Sequence, residues 1–261
     1  MPDNTYRFWV RAIWRNGPRV VYGPWSYPLN VRTYPTWNSI SQAVDSAIVQ
    51  IISPNLSFTS KSKYSYGSGF FVAGQYILTC FHVIKIPWNL KTSQQYYYRV
   101  NGGTWHRAIL VANNQGEDLA LLKPINPAHV FPLSGARWNP PHVGQPVADI
   151  GYPLGRTALI MGAPGRISAM HVMDNVTGGV GTLYNLFNAN VDAYQGDSGS
   201  PVLNHWGQVV GVDDNTTNAY HHFTSANANT TDGVISLATL AQFLDSARKQ
   251  LGLNPNFFKT Y

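Results

Sequence analysis

The chain has 261 residues, of which 44% are hydrophobic, 13% aromatic and 11% charged. That composition provides a sizeable apolar core and excludes an intrinsically disordered chain, which is poor in apolar residues and rich in charge. The formal charge of +6 is uneven: Arg7, Arg11, Arg15, Arg19 and Arg32 against Asp3 give residues 1–36 a net +4, and the remainder is close to neutral.

Residues 5–33 read as two strands around a loop. Tyr6, Phe8, Val10 and Ala12 alternate with Arg7, Trp9, Arg11 and Ile13, turn residues Asn16, Gly17 and Pro18 follow, and a second strand runs through Pro28–Thr33. Thr5-Tyr-Arg-Phe-Trp-Val-Arg-Ala12, then Asn16-Gly-Pro18, then Gly23-Pro-Trp-Ser-Tyr-Pro-Leu-Asn-Val-Arg-Thr33 resembles the last two strands of a fibronectin type III domain, so residues 1–36 are expected to be a partial module or an N-terminal hairpin. Tyr34-Pro-Thr36 marks the boundary. An amphipathic stretch over Ser39–Ser46, with Ile40, Ala43 and Val44 inward, leads into a strand at Ala47–Ile52.

Short β-type runs then recur between turn signals: Gly69–Val72, Tyr76–Thr79, Tyr97–Val100, Ala108–Val111, Leu119–Leu122, Val147–Ile150, Val191–Ala193, Pro201–Leu203 and Val209–Val212. Such spacing points to an all-β sandwich or barrel. A chain with eleven Asp but only one Glu, Glu117, fits, since it lacks material for long exposed helices. The one predicted helix runs over 236–251: Ser236 caps it, Leu237, Leu240, Leu244 and Leu251 share a face, Arg248 and Lys249 suit its last turn, and Gly252 stops it. Residues 253–261 are a tail.

A single cysteine, Cys80, excludes an internal disulfide framework and a multi-cysteine zinc cluster. The arginines are spread at strand-like spacing between aromatics, so no nucleic-acid partner is expected. No apolar run reaches the roughly 18 residues of a membrane span, and residues 1–30 show no signal-peptide core. Neither a membrane partner nor a cofactor or metal is expected. Sequons beginning at Asn55, Asn175, Asn215 and Asn229 favour an extracellular setting, weakly in so Asn/Thr-rich a chain.

Three segments carry chemistry. In Gly67-Ser-Gly-Phe-Phe-Val-Ala-Gly-Gln-Tyr-Ile-Leu-Thr79-Cys80-Phe81-His82, a β-hairpin ends by placing one imidazole at a sheet rim. Glu117-Asp118 puts an acid just before the apolar run Leu119–Leu122, and Gly196-Asp197-Ser198-Gly199-Ser200-Pro201 puts a serine in a glycine-bracketed turn. Each alone has an ordinary structural explanation; the three together supply the parts of acyl transfer. A neutral serine hydroxyl is a poor nucleophile and needs an imidazole to take its proton. The imidazole needs a carboxylate to fix its tautomer and stabilise its charged form. The amides of Gly196 and Ser198 can stabilise the oxyanion, at roughly 3–4 kcal/mol per donor. His82, Asp118 and Ser198 are therefore the candidate catalytic residues, with Gly196 and Ser198 as the oxyanion hole.

A Gly-x-Ser turn also occurs at the strand-to-helix elbow of α/β-hydrolases, which follow the order serine, acid, histidine. His205, His221 and His222 lie downstream of Ser198, but Pro201 and two strand-like runs stand where that fold requires a helix.

From about residue 44 to 252 the chain resembles the chymotrypsin-like serine proteases, in particular the disulfide-free HtrA/Deg-like and bacterial-type branch. Val143-Gly-Gln-Pro-Val-Ala-Asp-Ile-Gly-Tyr-Pro-Leu-Gly155 and Gly165-Arg-Ile-Ser168 resemble that branch's opening of the second barrel. The resemblance implies two six-stranded antiparallel β-barrels (about 47–125 and 140–234) with a C-terminal helix, a catalytic cleft between them, and a protease domain over 37–252. It implies a serine endopeptidase acting on protein or peptide substrates. Asp197 departs from the Asn usual in that branch and matches the trypsin branch. There the Asp pairs with a newly released N-terminus, for which this chain has only the loosely similar Ser46-Ala-Ile-Val-Gln50. The PDZ module common in the branch has no counterpart.

Asp192, six residues before Ser198, resembles the acid at the base of the trypsin pocket, and Asp213 and Asp214 end the strand that lines it. A carboxylate there favours Lys or Arg before the scissile bond. His221 and His222 read as a solvated pair. Cys80 reads as a small core residue, with a regulatory thiol beside His82 as the sharper alternative. Two other functions stay open: an interaction protein that kept a protease fold, and a protease that mainly self-processes a larger polyprotein.

Overall fold

The computed structural model describes residues 5–32, 35–54, 64–73, 76–84, 96–126, 130–137, 140–176, 181–214 and 232–261. The chain forms two compact units, residues 1–36 and 37–261.

The first unit contains β1 (Thr5–Phe8), β2 (Arg11–Asn16), β3 (Arg19–Trp25) and β4 (Leu29–Arg32), with β1 paired to β4 and β2 to β3. β3 occupies what the sequence presents as a loop. Adjacent Val20 and Val21 break the alternation, and the strand exists because β2 pairs with it across the Asn16–Arg19 turn. Ser26 links the two ladders: its Oγ accepts from the Val10 amide (3.0 Å) and its amide donates to the Val10 carbonyl (2.7 Å). The Arg11 guanidinium lies 4.0 Å from the Tyr22 ring centroid and 4.4 Å from that of Trp25.

The second unit opens with α1 (Trp37–Val44), where Ile40 and Val44, four residues apart, form the buried stripe. Ala43, expected inward, is exposed on the solvent side of that stripe. Six strands then close a barrel: β5 (Ile48–Pro54), β6 (Tyr64–Val72), β7 (Tyr76–Cys80), β8 (Tyr96–Arg99), β9 (His106–Asn114) and β10 (Leu119–Pro124), in the order β10-β7-β6-β5-β8-β9. All five residues of β7 are buried. One helical turn, α2 (Phe81–Ile84), follows it.

The second barrel comprises β11 (Pro146–Gly151), β12 (Ile160–Met161), β13 (Gly165–Val176), β14 (Gly181–Ala189), β15 (Pro201–Asn204), β16 (Val209–Asp213) and β17 (Asp232–Ser236). The sheet runs β12-β11-β13-β14-β17-β16-β15, and β11 also pairs with β15, so six strands close a ring with β12 as an appendage. The fold is the expected all-β double barrel. Val191–Ala193, expected as a strand, joins no ladder and is the approach to Ser198. β14 escapes the alternation rule because its pairing with β13 shifts register three times, with positive φ at His171 and Asn185.

α3 (Leu237–Gln250) is capped by Ser236, whose Oγ accepts from the Thr239 amide. It buries Leu237, Leu240, Phe243, Leu244 and Ala247 against strands of both barrels. Leu251 and Gly252 end it, Gly252 with φ +64°. Residues 253–261 pack back on the first barrel: Phe257 and Phe258 meet Tyr76 edge-on, and the Tyr261 hydroxyl donates to the Leu133 carbonyl at 2.8 Å.

Candidate active site

His82 and Asp118 lie 36 positions apart, and one ladder brings them together. β10 pairs with β7 so that Leu119 faces Cys80, which sets Asp118 beside the chain as it turns into α2. The Phe81 amide donates to the Asp118 carbonyl at 2.9 Å. Asp118 adopts φ +50°, a left-handed conformation Asp tolerates better than most residues. Its carboxyl group is fully buried; Oδ1 accepts from the His82 amide (2.8 Å) and Oδ2 lies 2.5 Å from His82 Nδ1. A carboxylate so placed holds the ring proton on Nδ1 and leaves Nε2 as the basic nitrogen.

Ser198 sits between Gly196 (φ +105°) and Gly199 (φ +88°). Any Cβ on Gly199 would overlap the Ser68 carbonyl and Thr79 Oγ1, so glycine is required there by both space and dihedral. The Ser198 carbonyl accepts from the Ser68 amide at 2.9 Å, and the Gly199 amide donates to the Asp213 carbonyl at 2.8 Å. The side chain of Ser68 donates to the Gly196 carbonyl (2.8 Å) and accepts from the Tyr152 amide (2.9 Å). Ser68 thus ties β6 of the first barrel to the serine turn of the second. It is a site residue missed from the sequence, where it stands only as the middle of Gly67-Ser-Gly69. Among the described residues, no hydrogen bond takes the amide of Gly196 or Ser198.

Four further acids lie in or next to the segments that form this arrangement. Asp214, the residue after β16, is buried, with Oδ1 3.5 Å from His82 Nδ1, a neighbour that local sequence does not signal. Asp213 is wholly buried, and its carbonyl takes Gly199 NH and the Cys80 thiol (Sγ–O 3.3 Å). Its side chain is thus enclosed at the end of the strand. Asp192 is half-buried on the approach to Ser198. Cys80 is buried, and burial, followed by Asp118, Asp214 and Asp213, holds its thiol well above the ordinary range. A protonated, enclosed thiol is a poor redox sensor. Of the other histidines, His205 stacks on Trp37 at 4.3 Å between centroids. His221, His222, Asn55, Asn215 and Asn229 lie outside the described residues; Asn175 lies in β13.

Asp197 finds its partner within its own loop: Oδ2 accepts from the Tyr194 amide at 2.9 Å, while Oδ1 is buried without a hydrogen bond among the described residues. Burial first, then Asp213, holds its carboxyl well above the usual carboxylate range, against the Tyr194 amide. A raised folded-state pKa means stability is fullest below the unfolded value of about 3.9 and falls as pH rises toward the folded value. Asp197→Asn, which keeps the acceptor for Tyr194, is expected to stabilise the protein by about 1–3 kcal/mol at pH 7.5 and to confer no gain near pH 3. Thermal melts at both pH values check this; a variant less stable than wild type at neutral pH contradicts it.

The family model of the trypsin-like peptidase domain matches residues 67–212, more than half of the chain. No curated protein matches. Among solved structures, the chain is similar to the active form of the Rv3671c protease from M. tuberculosis, with 22% identity, 83% of this chain and 86% of that one covered, and a TM-score of 0.65. It is also similar to the serine endoprotease from Yersinia pestis, with 22% identity, 83% and 68% coverage, and a TM-score of 0.61. These likenesses are of fold; the family match spans the segments that hold His82, Asp118 and Ser198. The chain belongs to the trypsin-like peptidase domain family and is a chymotrypsin-like serine protease.

Proposed function

We propose that this protease hydrolyses peptide bonds through an acyl-enzyme on Ser198, with His82 as base and then acid and Asp118 as the residue that orients it. The observation that carries the reading is the buried Asp118 carboxyl group, engaging both the amide and Nδ1 of His82. It aims a basic Nε2 away from the carboxylate, as proton abstraction from a serine requires. The uncommitted amides of Gly196 and Ser198 are the proposed oxyanion donors. A fluorophosphonate probe is expected to label wild-type protein and not Ser198→Ala; equal behaviour of the two proteins would sink the assignment.

Asp192 is the proposed specificity determinant, favouring Lys or Arg before the scissile bond, because it alone of the acids before Ser198 combines partial exposure with a position on the approach to the serine turn. Cleavage-site profiling on a peptide library tests this. The expected preference over neutral side chains is at least tenfold and disappears in Asp192→Ser, in line with about 2–5 kcal/mol for a charge left without its partner. A Lys/Arg preference that survives the substitution places the determinant elsewhere.

A further inference from the structure

Cys80, His82, Asp118 and Asp214 bring a thiol sulfur, an imidazole nitrogen and two carboxyl oxygens to one point, with one such atom from each residue within 4.8 Å of all the others. They come from four different places in the fold: the end of β7, α2, the turn before β10, and the residue after β16. His82 Nδ1 lies 2.5 Å from Asp118 Oδ2 and 3.5 Å from Asp214 Oδ1. Proton abstraction is served by the first of these contacts and makes no use of the sulfur, whose thiol donates to the Asp213 carbonyl at 3.3 Å.

The donor set matches a tetrahedral ion. Zinc bonds nitrogen and oxygen at about 2.0–2.2 Å and thiolate sulfur at about 2.3 Å, so its ligand atoms stand about 3.3–3.7 Å apart. The separation between His82 and Asp214 already has that value, and the one between His82 and Asp118 has to open by only about 1 Å. One sulfur, one nitrogen and two oxygens suit a borderline-soft cation and not calcium or magnesium, which take oxygen ligands. Charge points the same way, since the imidazole brings at most one positive charge to two buried carboxyl groups. Access is past His82, whose side chain is 21% exposed while Cys80, Asp118 and Asp214 are enclosed.

We propose that Cys80, His82, Asp118 and Asp214 form an inhibitory site for a borderline-soft divalent cation, with zinc as the best fit. On binding, the Cys80 thiol releases its proton to solvent and becomes a ligand. The imidazole proton moves from Nδ1 to Nε2 as Nδ1 takes the ion. The nitrogen that has to accept the Ser198 proton is then already protonated, and attack stops. This inhibition rests on the role proposed above for His82; the binding of the cation does not.

The test uses the full chain, with Co(II) as spectroscopic probe and Zn(II) as inhibitor. One equivalent of Co(II) is expected to give a thiolate-to-metal charge-transfer band in wild type and in Ser198→Ala, and none in Cys80→Ala. Zn(II) is expected to suppress the peptidase rate, and EDTA to restore it. Half-inhibition of Cys80→Ala and of Asp214→Asn, each relative to its own metal-free rate, is expected to need more than about tenfold higher Zn(II). Absence of the band in folded wild-type protein overturns the site. Equal Zn(II) sensitivity of wild type and both variants places the inhibiting ion elsewhere and overturns it too. A band together with an undiminished rate in excess Zn(II) overturns the inhibitory role. If metal-free wild type hydrolyses no peptide, the band alone decides the cation site, and it is the reading of Ser198 that fails.

Discussion

Replacing Ser198 with alanine is expected to lower kcat on a peptide substrate by about a million-fold while changing stability by less than about 0.5 kcal/mol. The first figure follows from removing the only atom proposed to bond with the substrate, which leaves the oxyanion donors and binding to supply what rate remains. The second follows from the way the turn is held. Its conformation depends on main-chain bonds from Ser68 to Ser198 and from Gly199 to Asp213, and on the Ser68 hydroxyl at the Gly196 carbonyl, none of which uses the Ser198 side chain. Steady-state kinetics and thermal melts on the same preparations check both halves. A loss of less than tenfold, with the fold intact, removes Ser198 from the mechanism.

Asp118→Asn is expected to cost about 10⁴-fold in kcat. The substitution preserves volume and leaves an oxygen to accept from the His82 amide, so the local geometry survives. What changes is the atom facing His82 Nδ1. An amide NH2 in the place of Oδ2 turns Nδ1 into an acceptor and moves the ring proton to Nε2, the nitrogen that has to be free. The buried Asp214, with Oδ1 3.5 Å from the same Nδ1, competes to keep the original tautomer. The double variant Asp118→Asn/Asp214→Asn is therefore expected to lose further activity beyond the single one. Measurement of kcat for the four proteins of that cycle checks it; a double variant no worse than Asp118→Asn denies Asp214 any hold on the imidazole.

Several parts of the molecule are legible without coordinates because their causes are local. The Tyr76–Cys80 strand and the helix at Leu237–Gln250 follow from runs of apolar residues with the right period, and the cap at Ser236 from a serine at the right place. Gly196 and Gly199 announce a turn that needs positive φ. His82, Asp118 and Ser198 are recognisable because each stands in a short motif next to a strand end. Where the cause is pairing or packing against another element, and not a segment's own pattern, the same reading fails. β3 exists through pairing with β2, and β14 through a ladder whose bulges erase the alternation. Ala43 is displaced by a fraction of a helical turn from the buried stripe, a distinction that depends on what the helix packs against.

The sequence by itself thus determined an all-β protein with a serine, a histidine and an acid in separate motifs, since periodicity, turn chemistry and side-chain type are properties of neighbouring residues. Only the tertiary structure decided what surrounds them. Ser68 became the tie between barrels, Asp197 turned to the amide of its own loop, and Asp213 was buried. Asp214 and Cys80 joined the imidazole in the same way. Apart from the Asp197 contact, which is local, each of these depends on closing two barrels and setting one against the other, and the register of a ladder such as Leu119 opposite Cys80 is chosen by the packing of the whole core.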